Sequence, residues 1–234
     1  MKIAILDVVP EVYWAADEGQ NDGIKFKSML AETGIDADLT VHCIPQDDWP
    51  DRVEDYDAYL ISGSPCGANE SYNWSGRFTL FVDSIIRQKR KLVGVCFGHQ
   101  FIARHLGGTV ERSDSGWLIG LHPVAVTDHQ QWMTPRLADS KIYYFNQDQI
   151  TALPDAATHI GTAPNCRYAA WCVDDRIFCL QGHPEQPIGS MRNFIDATRD
   201  SIDHGVLDAA EQSMRDSATD AGIWANWIRN FLIA

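Results

Sequence analysis

The segment Gly94-Val95-Cys96-Phe97-Gly98 constrains the fold of this 234-residue chain more than any other. It follows the apolar run at 92–95 and leads into a helical pattern in which Phe101, Ile102, His105 and Leu106 share a face, closed by Gly107. A strand that turns into a helix through glycines on both sides of a nucleophile is an elbow, here with cysteine in the place of serine. The glycines are required because side chains flanking so tight a turn would collide with neighbouring backbone. In an open α/β sheet the elbow lifts the sulfur out at the carboxyl end of the strands, where sites are built. It also sets the thiol at a helix N-terminus, whose partial positive charge favours the attacking thiolate.

The surrounding pattern predicts the same architecture. Residues 3–9 form a strand with apolar positions on both faces, as in a parallel sheet covered on both sides. Phe26, Met29 and Leu30 fall on one helix face that Gly34 ends with a left-handed cap. Residues 39–44 and 58–62 read as strands, and Phe78, Phe81, Val82, Ile85 and Ile86 repeat at helical spacing after Ser75 as N-cap. The basic run Arg87-Gln88-Lys89-Arg90-Lys91 reads as the solvated end of that helix. This alternation predicts an α/β protein with an open, mostly parallel sheet flanked by helices. The second half changes character, with strands at 124–127, 141–145, 159–162, 168–172 and 177–180 and few helices between them. Two apolar stripes follow, Met191, Phe194, Ile195 and Ile202, then Trp224, Trp227, Ile228 and Phe231. Both are expected to pack on the sheet rather than to dock a partner. With no repeat, linker or low-complexity tract, residues 1–234 are expected to form one domain.

Charge narrows the function classes. Nineteen basic against 32 acidic side chains give a net charge of −13, which repels phosphate backbones and anionic membrane faces, so no nucleic-acid or membrane partner is expected. No stretch approaches the ~20 apolar residues that span a bilayer, and the apolar N-terminus is interrupted by Asp7 and too short for a signal peptide. The six cysteines show no C-x-x-C pair and no metal-type spacing. They are expected to be reduced thiols of a cytoplasmic protein.

A nucleophilic thiolate needs an imidazole partner. His183, in Gln181-Gly182-His183-Pro184-Glu185, lies just past the strand at 177–180, on the same rim as the elbow, and Glu185 stands two residues on, where it can orient the ring. His99, three residues past Cys96 on a helix, should project away from the sulfur. For the oxyanion, the Phe97 amide is one donor by elbow geometry, and the turn Ser62-Gly63-Ser64-Pro65 offers a second. Together these pieces describe acyl transfer from an amide or ester through a thioester.

Taken in order, Ile-Ser-Gly-Ser-Pro, Gly-Val-Cys-Phe-Gly-His-Gln and Gln-Gly-His-Pro-Glu resemble class I (triad-type) glutamine amidotransferase domains, in particular the free-standing, GMP synthase-like branch. Residues 112–120, with Ser-Gly-Trp-Leu-Ile-Gly, and Asn146-Gln147-Asp148-Gln149-Ile150 add to the resemblance, which runs over residues 1–194. It implies a flavodoxin-like sheet, Cys96 as nucleophile, His183 as base and then acid, and Glu185 as the orienting carboxylate. It further implies oxyanion amides at Phe97 and Ser64, substrate contacts from Gly63 and Gln100, and backbone contacts around Gln147 and Asp148 to the α-amino and α-carboxylate groups. No metal or cofactor is implied. Two positions depart from the pattern: Ser64 stands where many members have Gly, and Asn146 where His is common. The implied function is hydrolysis of the glutamine γ-amide through a γ-glutamyl thioester, in a subunit that supplies ammonia to a separate acceptor enzyme. The alternatives are a stand-alone γ-glutamyl peptide or amide hydrolase, and a non-catalytic regulatory module of the same fold.

Overall fold

The computed structural model describes residues 1–17, 19, 21–215 and 218–234. Its elements follow in the order β1 (Lys2–Asp7), α1 (Asp22–Glu32), β2 (Asp38–Cys43), β3 (Ala58–Ile61), α2 (Ser75–Arg87), β4 (Lys91–Val95), α3 (Phe97–His105), β5 (Thr109–Arg112), β6 (Leu118–Val126), β7 (Asp139–Asn146), β8 (Asp148–Ala152), β9 (Thr158–Ala163), β10 (Cys166–Val173), β11 (Ile177–Leu180), α4 (Ile188–Thr198), α5 (His204–Arg215) and α6 (Ala221–Ile233). Nine strands form one sheet in the order β2-β1-β3-β4-β11-β10-β9-β6-β7, while β5 and β8 pair as a separate ribbon. Strands β2 through β11 are mutually parallel, and the four beyond them are antiparallel. The α/β architecture predicted from the sequence is therefore present, and the β-rich second half extends the same sheet.

Two-residue alternation distributes the apolar side chains between the layers. Ile3 and Ile5 of β1 join Leu60, Val93 and Phe178 in a core closed by Phe26, Met29 and Leu30 of α1 and by α6. Ala4 and Leu6 face the opposite way, with Tyr59, Ile61 and Leu92, onto Phe78, Val82 and Ile85 of α2 and Ile102 of α3. A third cluster sets Ile119, Leu121 and Tyr143 of β6 and β7 against Met191 and Ile195 of α4 and Leu207, Ala210 and Met214 of α5. Burying one such large side chain is worth roughly 1.5–3 kcal/mol, and the tryptophan stripe of α6 is used in this way. Trp224 and Trp227 are buried, donating to Ser140 Oγ at 3.0 Å and to the Pro135 carbonyl at 2.9 Å.

Several local expectations change. Ser75 is the first residue of α2 and does not cap it; Trp74 holds that position, and the Ser75 hydroxyl accepts from the Tyr72 N–H at 2.9 Å, closing the preceding turn. Ile202 packs with Met191 and Ile195 but lies between α4 and α5. In the basic run, α2 ends at Arg87, Lys89 turns with φ of 55°, and the Lys91 ammonium donates to the Phe231 carbonyl. Gly34 and Gly107 take the expected left-handed conformation after α1 and α3. The ribbon strands and α5 have faint sequence signals: β5 buries only Val110, and α5 buries three residues, one of them alanine. Among the described residues no helix is long and apolar enough to cross a membrane.

At the end of β1 the carboxylate of Asp7 is fully buried. It accepts from the Val9 N–H at 2.9 Å, the Gly23 N–H of α1 at 3.2 Å and the Ser62 hydroxyl at 3.4 Å. Burial, reinforced by the neighbouring Asp22, pushes its pKa up to about 7 against the pull of those donors. In the window between 3.8 and about 7, the native carboxyl keeps a proton that the unfolded chain has released. Its contribution to stability therefore falls as pH rises through that window. Asp7→Asn should remove this slope, so that the variant gains on the parent by an amount on the order of a few kcal/mol between pH 4 and pH 8. Denaturant melts across that range measure it; an unchanging gap would show that Asp7 does not titrate there.

Candidate active site

Strand β4 lies between β3 and β11, parallel to both, with Ile61, Gly94 and Cys179 level across the three. The chain thus leaves the sheet three times at one height: into the turn at 62–65, at Cys96, and into the loop at 181–186. Cys96 has φ of 50° and ψ of −100°, a conformation that persists only where its surroundings enforce it, at a cost of roughly 1–3 kcal/mol. The enforcement is visible. The Cys96 N–H donates to the Leu180 carbonyl, the Gly98 N–H to Ser62 and the Gln100 N–H to Cys96. A Cβ at Gly94 would stand 2.7 Å from the Gly98 carbonyl, and one at Gly98 would stand 2.7 Å from the Ile61 oxygen.

His183 is fixed from the neighbouring strand end. After β11 the Gln181 N–H donates to the Ala169 carbonyl, and the His183 N–H donates to Tyr143 of β7 at 2.8 Å. The ring then has little freedom: its Nδ1–H donates to Glu185 Oε1 at 2.7 Å. Gly63 fits between the two key side chains, since a Cβ there would come 2.9 Å from His183 Cε1 and 3.5 Å from Cys96 Cβ. Burial alone would lower the His183 pKa. The charges of Glu185 and Cys96, and side-chain hydrogen bonding with each, outweigh it and hold the imidazole well above its usual value of 6.5. Cysteine and imidazole, 87 residues apart in the sequence, therefore meet at one sheet edge, as the motif order predicts.

Sequence reasoning did not find the support behind Glu185. Gln186 Nε2 donates to Glu185 Oε1 at 3.3 Å and to Asp22 Oδ1 at 2.9 Å. Lys25 of α1 donates to Gln186 Oε1 and to Asp22 Oδ1, both at 2.9 Å. All four side chains are buried. Asp22 and Lys25 carried no signal beyond ordinary helix charges, because the link spans 161 residues.

Among the described residues, the Ser64 and Phe97 amides have no hydrogen-bond partner, as donors awaiting an oxyanion would be. The Ser64 hydroxyl donates to the Val8 carbonyl and accepts from the Cys66 N–H, which fixes that turn. Gln100 reaches the β7–β8 junction, but its amide nitrogen is committed to the Asp148 carbonyl and to Gln181 Oε1, both at 2.9 Å. Asn146 also donates to the Asp148 carbonyl, and the Gln147 carbonyl accepts from Ser113. Gln100 and Asn146 thus brace the backbone that carries Gln147 and Asp148. His99 is fully buried beside Trp171 and does not approach Cys96. Burial lowers its pKa to about 3.

A cavity of about 290 Å³ opens onto Cys96 and His183, with walls that include Val9, Tyr13, Pro65, Phe145 and Phe194. A wider depression of about 650 Å³ backs onto Pro184, Glu185 and Gln186 but includes neither Cys96 nor His183, so it lies outside the reacting region.

The family model for glutamine amidotransferase class-I matches residues 20–196. The chain is 27% identical over 217 residues to gamma-glutamyl peptidase 3 of Arabidopsis thaliana, covering 88% of this chain and 86% of that protein. It is 29% identical to the glutamine-hydrolyzing GMP synthase subunit of Halobacterium salinarum, over 72% of this chain and 85% of that protein. A crystal structure of a glutamine amidotransferase from Thermotoga maritima superposes with a TM-score of 0.78 at 19% identity, covering 100% of this chain and 99% of the other, and so shares its fold.

The electrostatics of His183 can be measured directly. Glu185→Gln removes the charge that most raises the imidazole while leaving it buried, so the His183 titration should move to lower pH. NMR of labelled histidines reads this; an unmoved His183 resonance would mean that the carboxylate does not control the ring.

Proposed function

Since this chain belongs to the class-I glutamine amidotransferase family, we propose that it hydrolyses a γ-glutamyl C–N bond through a thioester on Cys96, with His183 and Glu185 completing a triad. The observation that carries this reading is the placement of Cys96. It occupies an enforced positive-φ elbow beside an imidazole that a buried carboxylate keeps protonated. An imidazolium beside a cysteine favours the thiolate, the form that attacks a carbonyl.

The thiolate adds to the γ-carbonyl, and the oxyanion is received by the Ser64 and Phe97 amides. Losing one such donor costs ~10²–10³ in turnover in comparable sites. His183 passes its proton to the departing nitrogen as the C–N bond breaks. The now neutral imidazole takes a proton from water, which opens the thioester, releases glutamate and restores the ion pair. Gly63 leaves room for the substrate between sulfur and ring. The braced backbone at Gln147 and Asp148 offers polar groups for the amino-acid end, with Gln100 positioning that backbone.

Stand-alone hydrolysis is supported by the likeness to a gamma-glutamyl peptidase over nearly the whole chain. A second reading, ammonia supply to a separate acceptor enzyme, is favoured by the likeness to the glutamine-hydrolyzing part of a GMP synthase. The complete set of Cys96, His183 and Glu185 counts against a purely regulatory role. Six unpaired cysteines fit a reducing compartment such as the cytoplasm.

Mass spectrometry of the full chain after mixing with glutamine and γ-glutamyl donors should find a glutamyl adduct on the peptide that holds Cys96, together with released glutamate. Cys96→Ser should abolish both. Neither adduct nor glutamate from any donor would overturn the triad reading. Glutamate released without a partner, faster from γ-glutamyl compounds than from glutamine, would decide for the stand-alone enzyme.

A further inference from the structure

The cavity beside the triad lies away from the braced glutamyl end. Cys96, His183 and Ser64 border it, whereas Gln100, Asn146 and Asp148 do not. In the reaction above, His183 hands its proton to the leaving nitrogen, so space on the imidazole side of the sulfur receives whatever that nitrogen carries. Here that space is bounded by Phe145 of β7, Phe194 of α4 and Tyr13 of the 3-10 turn Glu11–Asp17, with Val9 and Pro65. Its volume of about 290 Å³ can be set against the ~150 Å³ that suffices for benzene. Ammonia would leave nearly all of it unused.

Charge narrows the occupant further. Among the described residues, His183 is the only basic side chain on the walls, and the other ionisable group besides Cys96 and Tyr13 is Asp22. The Lys25 ammonium is not part of the wall; it is held by Asp22 and Gln186 and lies 5.3 Å from the Phe194 ring centre. A carboxylate on the leaving amine would face aromatic rings, while Asp22 is already paired with Lys25 and His183 with Glu185, so the walls offer it no uncommitted cation, which is unfavourable.

Building on the hydrolytic reading, we propose that this cavity binds the amine half of the substrate. The substrate class is γ-glutamyl amides of amines that carry an aromatic or similarly bulky apolar group and no carboxylate. Phe145, Phe194 and Tyr13 set that specificity. The Sγ–C bond forms as the thiolate adds to the carbonyl, the C–N bond then breaks as the oxyanion collapses, the amine leaves with the proton from His183, and water releases glutamate.

Three donors test the proposal on the full chain: glutamine, γ-glutamyl-phenethylamide and γ-glutamyl-phenylalanine, which differ in the ring and then in the carboxylate. The expected kcat/KM for the phenethylamide exceeds that for each of the others by about tenfold or more. Phe194→Ala, which removes a wall, and Ala197→Leu, which fills the cavity from an exposed position on α4, should each lower the ratio of phenethylamide to glutamine by about tenfold, mainly through KM. Either variant alone keeps the test open if the other fails to fold. Glutamine or γ-glutamyl-phenylalanine used as well as the phenethylamide, or a ratio that neither variant moves, would overturn the proposal. In those cases the Cys96 adduct formed with glutamine would show that the triad reading stands. Absence of adduct and turnover with every donor would remove both.

Discussion

The parallel pairing of β4 with β3 on one side and β11 on the other is the constraint on which the site depends. Hydrogen bonds set Ile61, Gly94 and Cys179 level, so the turn at Gly63, the elbow at Cys96 and the loop to His183 all begin at one height. A slip of one residue in either pairing would exchange the faces of a strand that is buried on both sides. Ile61 and Leu92 would then meet the core that now holds Leu60 and Val93. The two hydrophobic layers therefore protect the register, and the register protects the distance between sulfur and imidazole. Catalytic geometry is, in this sense, a by-product of core packing, with the glycines at 94 and 98 as the points where packing and elbow touch.

Onto that frame the site adds buried charge, which is costly unless it is paired and hydrogen-bonded. His183 is kept cationic because Glu185 and Cys96 face it, and Glu185 is in turn approached by Gln186, which bridges to Asp22 and Lys25. Each group hydrogen-bonds to the next. Removing a member of such a chain leaves its neighbour buried and unpaired, so side chains that never reach the substrate can govern the protonation of one that does. The bridge also joins α1 to the loop after β11, tying the first helix of the chain to the imidazole.

Most of the frame was legible in the sequence because its signals are local. The glycines around Cys96, the both-faced apolar runs and the strand at Ile177–Leu180 follow from steric exclusion and two-residue alternation. The order of motifs was enough to expect Cys96, His183 and Glu185 on one rim of the sheet. What escaped was non-local or weakly apolar. The β5–β8 ribbon is short and mostly exposed, α5 presents a narrow stripe broken by alanine, and the Lys25–Gln186 bridge has no trace in either segment. Ser75 looked like a cap by residue type, yet its hydroxyl serves the turn before the helix. Phe194 shows a different limit: it shares a helical stripe with Met191 and Ile195, but those two bury in the core while Phe194 borders the cavity. Periodicity identifies an apolar face without saying which of its members touches protein and which faces an open space.

The two halves of the site are built from different materials, and this sets how each can discriminate. At the β7–β8 junction, the proposed glutamyl end, donors on Gln100 and Asn146 are committed to one backbone carbonyl, so the polar groups there are held in place. Fixed polar partners reject a ligand that lacks the matching group by several powers of ten, because a buried donor or acceptor is left unpaired. On the other side, aromatic and aliphatic walls select by volume and apolarity, which is worth only one or two powers of ten per group. The amine side draws on α4, on the 3-10 turn after β1 and on Phe145 of β7, the strand whose Tyr143 carbonyl also holds His183. None of these supplies the β3–β4–β11 register. Exchange of Phe194 or Tyr13 can therefore alter the cavity while the elbow and the imidazole stay as they are.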